Sequence, residues 1–87
     1  MIHKFEELIK GKINVDQINI IDKSGQHAKH ASYTSGMHLE AVIVSDDFIN
    51  KSLIERHRMI YSILSEYMNK EIHALSMKTL TRNEIKQ

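Results

Sequence analysis

Six histidines stand in a chain of 87 residues that contains no cysteine. Imidazole ligates metals and exchanges protons near neutral pH, so the first question is which of the six converge. His27 and His30 lie close together in sequence, His38 follows, and His73 stands far downstream. Without cysteine there is no disulfide, no zinc–thiolate site, no cysteine nucleophile and no conventional all-thiolate iron–sulfur cluster built from this chain alone. Any soft ligand must come from elsewhere. A zinc site from His27, His30 and His38 is chemically allowed, although a loop rich in small residues would have to organise it. Ser24 near His27 and Ser35 near His38 offer hydroxyl–imidazole pairs, but neither serine stands on a sharp nucleophile elbow and no orienting acid is indicated. No catalytic residue is assigned, and the chain is not expected to be an enzyme.

A second constellation is basic. Arg56 and Arg58, with Lys51 and Lys78, are read as a positive rim for phosphate or for the carboxylates of a partner. The total charge does not extend that rim, since 12 Lys+Arg face 11 Asp+Glu. Such a near-neutral chain announces no general nucleic-acid or membrane-surface binder, and few aromatics are available for base stacking. Gly25 and Gly36 stand apart, so the GXXG clamp of an RNA-binding KH module is missing.

The elements that must position these residues follow from periodicity. Ile2, Phe5, Leu8 and Ile9 form a helical stripe, with Gly11 at the place of a left-handed C-cap. Gln17–Asp22 is short and β-branched, a strand. Residues 23–36, KSGQHAKHASYTSG, have no hydrophobic period and read as a long loop carrying His27 and His30. Met37–Ser45 alternates as a second strand, with Leu39, Ala41 and Ile43 in one phase and His38, Glu40, Val42 and Val44 in the other. Asp46–Phe48 turns the chain. Ser52 and Glu55 form a capping box for a helix carrying Leu53, Ile60, Leu64 and Tyr67, with Asn69 as its stop. Ile72–Thr79 is a third strand with apolar residues in both phases, where simple alternation places His73 with Leu75 and Met77. Thr81 and Glu84 form a second capping box. The order is α-β-β-(α)-α-β-α in one domain, 1–87. Its economical packing is a three-stranded mixed sheet with helices on one face.

The wording of these segments carries a resemblance. RHRMIY at Arg56–Tyr61 and IHALSMKTLT at Ile72–Thr81, with MHLEAVIVSDDF at Met37–Phe48 and GQHA at Gly25–Ala28, resemble the BolA family over nearly the whole chain. The resemblance implies a class II KH-like α+β fold. It also implies that His73 and His27 ligate a [2Fe–2S] cluster. The residues themselves leave the second ligand open among His27, His30 and His38, with His30 the nearer rival and His38, in strand phase with Glu40, reading as structural. Because imidazole replaces thiolate on only part of such a cluster, a chain without cysteine offers half a ligand shell. The resemblance implies that the remaining thiols come from a monothiol glutaredoxin and its bound glutathione. Ligation needs neutral imidazole, so the bridged complex should weaken in acid. Some members of the family bind DNA through the segment that contains Arg56 and Arg58, which makes a DNA-binding regulator of stress response and cell morphology the alternative. Two departures stand out: Arg82 occupies a position where proline commonly follows the threonine, and the early loop is slightly extended.

The N-terminus, MIHKFEELIKGK, mixes charged and apolar residues and does not read as a secretory signal. No stretch approaches the roughly 20 apolar residues of a membrane span. A cytoplasmic protein is expected, monomeric or weakly dimeric when free, with no membrane partner.

Overall fold

The computed structural model describes residues 1–24 and 36–86. His27 and His30 therefore lie outside the described residues, as does the GQHA phrase.

Helix α1 (Ile2–Lys10) buries Phe5 and Ile9, one turn apart. It does not end on a left-handed residue: Gly11 has φ −77° and ψ −15°. The amides of Lys12 and Ile13 both reach back to the Ile9 carbonyl, at 3.0 and 3.1 Å, so a tightening turn satisfies the helix end without a left-handed residue.

Strand β1 (Gln17–Asp22) pairs antiparallel with β2 (Met37–Val44), and β2 pairs parallel with β3 (Ile72–Leu80), giving the order β1-β2-β3. A parallel neighbour demands a crossover, and helix α2 (Leu53–Ile63) supplies it. Ile20, Leu39, Ala41 and Ile43 face Phe5, Ile9, Ile60 and Leu64 in one core on the helical side of the sheet. In the opposite phase Asn19, Ile21, Glu40, Val42, Ser76 and Lys78 are exposed, whereas Val44 at the end of β2 is buried. No described element covers that face.

The turn between β2 and α2 is a short 3-10 helix, Asp46–Phe48, which drops Phe48 into the core at 0% exposure. Buried Ser45 anchors it by donating to the Asn14 carbonyl at 2.6 Å and accepting from the Asp47 amide at 3.1 Å. The α2 capping box is formed as expected, with Ser52 accepting from the Glu55 amide at 3.1 Å and Glu55 accepting from the Ser52 amide at 2.8 Å. Regular helix ends at Ile63, before the stop expected at Asn69. Non-helical turns follow, and Asn69, at φ 65°, reverses the chain into β3 instead of capping the helix.

Helix α3 (Arg82–Ile85) is a single turn with its own capping box, Thr81 to Glu84. Arg82 is well suited to its place: its amide donates to the Asp46 carboxylate at 3.0 Å, a bond that proline could not make.

Candidate functional site

His73 is positioned by an irregularity in the sheet. Met37 pairs with Ile72, but the next β2 residue, His38, pairs with Ala74, so His73 is one extra residue on β3. This overturns the phase that alternation assigns to it. The bulge lets Ile72 be fully buried while His73 and Ala74 are both exposed, with the core phase resuming at Leu75. His73 thereby reaches the open face of the sheet, where it stacks on His38 with ring centroids 5.1 Å apart and planes 20° apart. Alternation puts His38 in phase with Glu40 and His73 in phase with Leu75 and Met77, and nothing in it joins the two histidines. The traces the sequence offered were the apolar residues in both phases around Ile72 and the glycine just before β2.

That glycine is built into the site. Gly36 has φ 124°, and a Cβ placed on it would lie 3.0 Å from the Cβ of His73. The conformation favours glycine, and the backbone approach requires it. Gly36→Ala is expected to destabilise the protein by about 2 kcal/mol, the scale of a side chain forced into such a conformation. Urea unfolding with an unchanged m-value would measure it, and a midpoint equal to wild type would refute the argument.

His38 is pinned by its neighbours on both sides. The Lys23 amide donates to its carbonyl at 2.7 Å, and Ala74 faces it across the parallel ladder. Asp22, close by, accepts from the Ser24 amide at 2.9 Å, which with a lesser contribution from His38 holds its carboxyl below the usual range. The carboxylate therefore stays ionised beside the histidine pair. A shallow cleft of about 310 Å³ runs from His38 along the β2–β3 seam, lined by Lys23, Glu40, Ala74 and Ser76 among others.

Among the described residues no group of three or more His, Asp, Glu or Cys gathers as a metal site. The zinc reading of His27, His30 and His38 rests on two residues outside the described set. His73 does suit a shared site, because it is an exposed imidazole next to two residues that line the cleft, His38 and Ala74, and leaves the rest of the coordination to other donors.

The basic constellation is not assembled as the sequence suggested. Arg56 is only 11% exposed and its donors are turned inward. Nε donates to the Lys51 carbonyl at 3.0 Å, Nη1 to the Thr79 carbonyl at 2.9 Å, and both terminal nitrogens to the Glu84 carboxylate at 2.7 and 3.0 Å. This bidentate pairing holds Glu84 down at about 2 and raises Arg56 above its already high value. Arg56 is therefore a clamp between α2, β3 and α3, while Arg58 and Lys51 are exposed. Lys78 is exposed as well, but its strand phase puts it on the open face, away from α2. His57 is partly buried with its Nε2 inside the protein, as a packing residue would be.

Comparison with known proteins agrees with this architecture. Residues 9–84 match the family model described as BolA-like protein. The protein BU473 of Buchnera aphidicola is 44% identical over 98% of this chain and 80% of its own length. The DNA-binding transcriptional regulator BolA of Escherichia coli is 35% identical over 93% of this chain and 75% of its own. The solved BolA domain of SufE1 from Arabidopsis thaliana superposes with a TM-score of 0.81 at 34% identity, covering 94% of this chain and 92% of that one. No described helix is long and apolar enough to cross a membrane. With the family model spanning most of its length and relatives well above 30% identity, this chain belongs to the BolA-like family.

Proposed function

We propose that this protein is a non-enzymatic adaptor that binds a monothiol glutaredoxin and holds one side of a shared [2Fe–2S] cluster, in iron–sulfur cluster trafficking or iron and redox regulation. The observation that carries the reading is the bulge that delivers His73 to the open face of the sheet. Strict alternation would return this histidine to the core phase with Leu75 and Met77, whereas the bulge holds it out on the open face, stacked on His38. The partner glutaredoxin and its glutathione supply thiolates that this chain lacks. Imidazole ligation on such a cluster raises its reduction potential relative to an all-thiolate shell. His27 is the second ligand in this reading, with His30 its rival.

The test is anaerobic reconstitution of the protein with a monothiol glutaredoxin, iron, sulfide and glutathione, followed by visible absorption and circular dichroism. A spectrum specific to the heterodimer is expected. If the protein neither binds the glutaredoxin nor changes the spectrum of its cluster, the adaptor reading fails.

A second reading, a DNA-binding regulator, draws on the name of the Escherichia coli relative and on the exposure of Lys51 and Arg58. The internal pairing of Arg56 weakens it, because the most central cation of the rim is already occupied. If DNA is bound, affinity should fall steeply between about 50 and 200 mM salt, and removing Lys51 and Arg58 together should flatten that slope by roughly two charges. Fluorescence anisotropy on duplex DNA would decide, and a salt-independent or absent signal would exclude this reading.

A further inference from the structure

We infer that His38 is a positioning residue, stacking on His73 to fix the direction in which that imidazole presents its nitrogen to a partner-shared metal group. The inference rests on the adaptor reading for its functional part and on the geometry of the pair for the rest.

An imidazole at the exposed end of a strand turns about two side-chain bonds, and that freedom is lost on ligation. Histidine ligands are commonly held by a hydrogen bond to their second nitrogen. His73 is restrained differently. Its Cβ lies against the backbone of Gly36, and its ring lies against the ring of His38, 5.1 Å away and 20° from parallel. Stacking engages the faces of the ring and leaves the nitrogens at its perimeter uncommitted. It orients a ligand without occupying either of its nitrogens.

The same geometry argues against His38 as a ligand of the same metal atom. A ring nitrogen's lone pair lies in the ring plane, and a metal must sit about 2.0 Å along it. Two rings stacked 20° from parallel aim their lone pairs along neighbouring planes, so they do not converge on one atom unless one ring turns and the stack is lost. The backbone also favours His38 as the fixed member, since it lies in the central strand, paired on both sides, whereas His73 is the unpaired residue of a bulge.

The experiment compares wild type with His38→Ala and His38→Phe, the second keeping a flat ring but no nitrogen. The first readout, made on the protein without metal or partner, is the set of three-bond couplings that report the χ1 rotamer of His73. One dominant rotamer is expected in wild type and His38→Phe, and averaged couplings in His38→Ala. The second readout is loss of the glutaredoxin-shared cluster to a chelator, followed by visible circular dichroism. About tenfold faster loss is expected in His38→Ala, as for other residues that orient a metal ligand, with recovery in His38→Phe. Unchanged couplings in His38→Ala overturn the inference. So does a His38→Phe protein that loses the cluster as fast as His38→Ala, because the nitrogen would then be what matters. A wild-type protein that shares no cluster sinks the adaptor reading instead, and the couplings still decide for or against the stack.

Discussion

His73→Ala is expected to abolish the heterodimer-specific cluster spectrum while leaving the protein folded. The side chain is exposed and belongs to the unpaired residue of a bulge, so its truncation opens no core cavity and should change stability by no more than about 0.5 kcal/mol. The functional loss should be far larger. Residues that merely orient a ligand cost about 10–100-fold when removed, and a ligand itself should exceed that range. Thermal unfolding and visible circular dichroism on the same samples separate the two effects. A His73→Ala protein with wild-type melting and a wild-type cluster spectrum would remove His73 from the site, and the bulge would need another explanation.

Arg56→Ala should produce the opposite result, a large loss of stability with the histidine pair intact. The guanidinium makes four hydrogen bonds, one to the Lys51 carbonyl ahead of α2, one to the Thr79 carbonyl on β3 and two to the ionised Glu84 carboxylate on α3. Its removal strands the Thr79 carbonyl and leaves Glu84 with only its Thr81 bonds. A melting point lower by on the order of 10 °C is expected for a domain of this size. Lysine should not restore it, because a point charge cannot reproduce the fork. Acid supplies a second signature. Glu84 is held at about 2 in the folded protein against an ordinary 4.5, so its stabilisation is complete above 4.5 and drains away as the pH falls towards 2. The difference in melting temperature between wild type and Arg56→Ala should narrow across that interval. A gap that stays constant between about pH 6 and pH 3 would show that the carboxylate pairing contributes little.

These two residues also mark what the sequence could and could not convey. Local chemistry was legible. Both capping boxes, at Ser52 and Thr81, form as written, because each needs only a hydroxyl and a carboxylate three residues apart. The strands begin where β-branched alternation begins, and the α+β topology follows from a helix lying between strands that must be parallel. Nonlocal chemistry was hidden. Arg56 reads as a surface cation beside Arg58 until the fold brings Glu84 to it from 28 residues downstream. His73 reads as a core-phase residue until the ladder with β2 shows that one position is extra. Gly11 and Asn69 carry the residue types of helix stops, yet α1 closes by a right-handed turn back to Ile9 and Asn69 serves the turn into β3. The ligand pairing of His73 with His27 rests on resemblance, and His27 lies outside the described residues.

The bulge also carries a consequence for how this chain tolerates changes of length. A strand that is one residue longer than its partner stretch has a definite tally, and here the surplus is spent at His73. Deleting any single residue between Ile72 and Leu75 would erase the surplus and restore strict alternation. Either Ile72 would then turn to solvent, or the segment from Leu75 to Thr79 would slip by one position and reverse its inside and outside. A substitution in residues 72–75 alters one position, whereas a gap there shifts every residue that follows in the strand. Related chains should preserve the number of residues across this stretch.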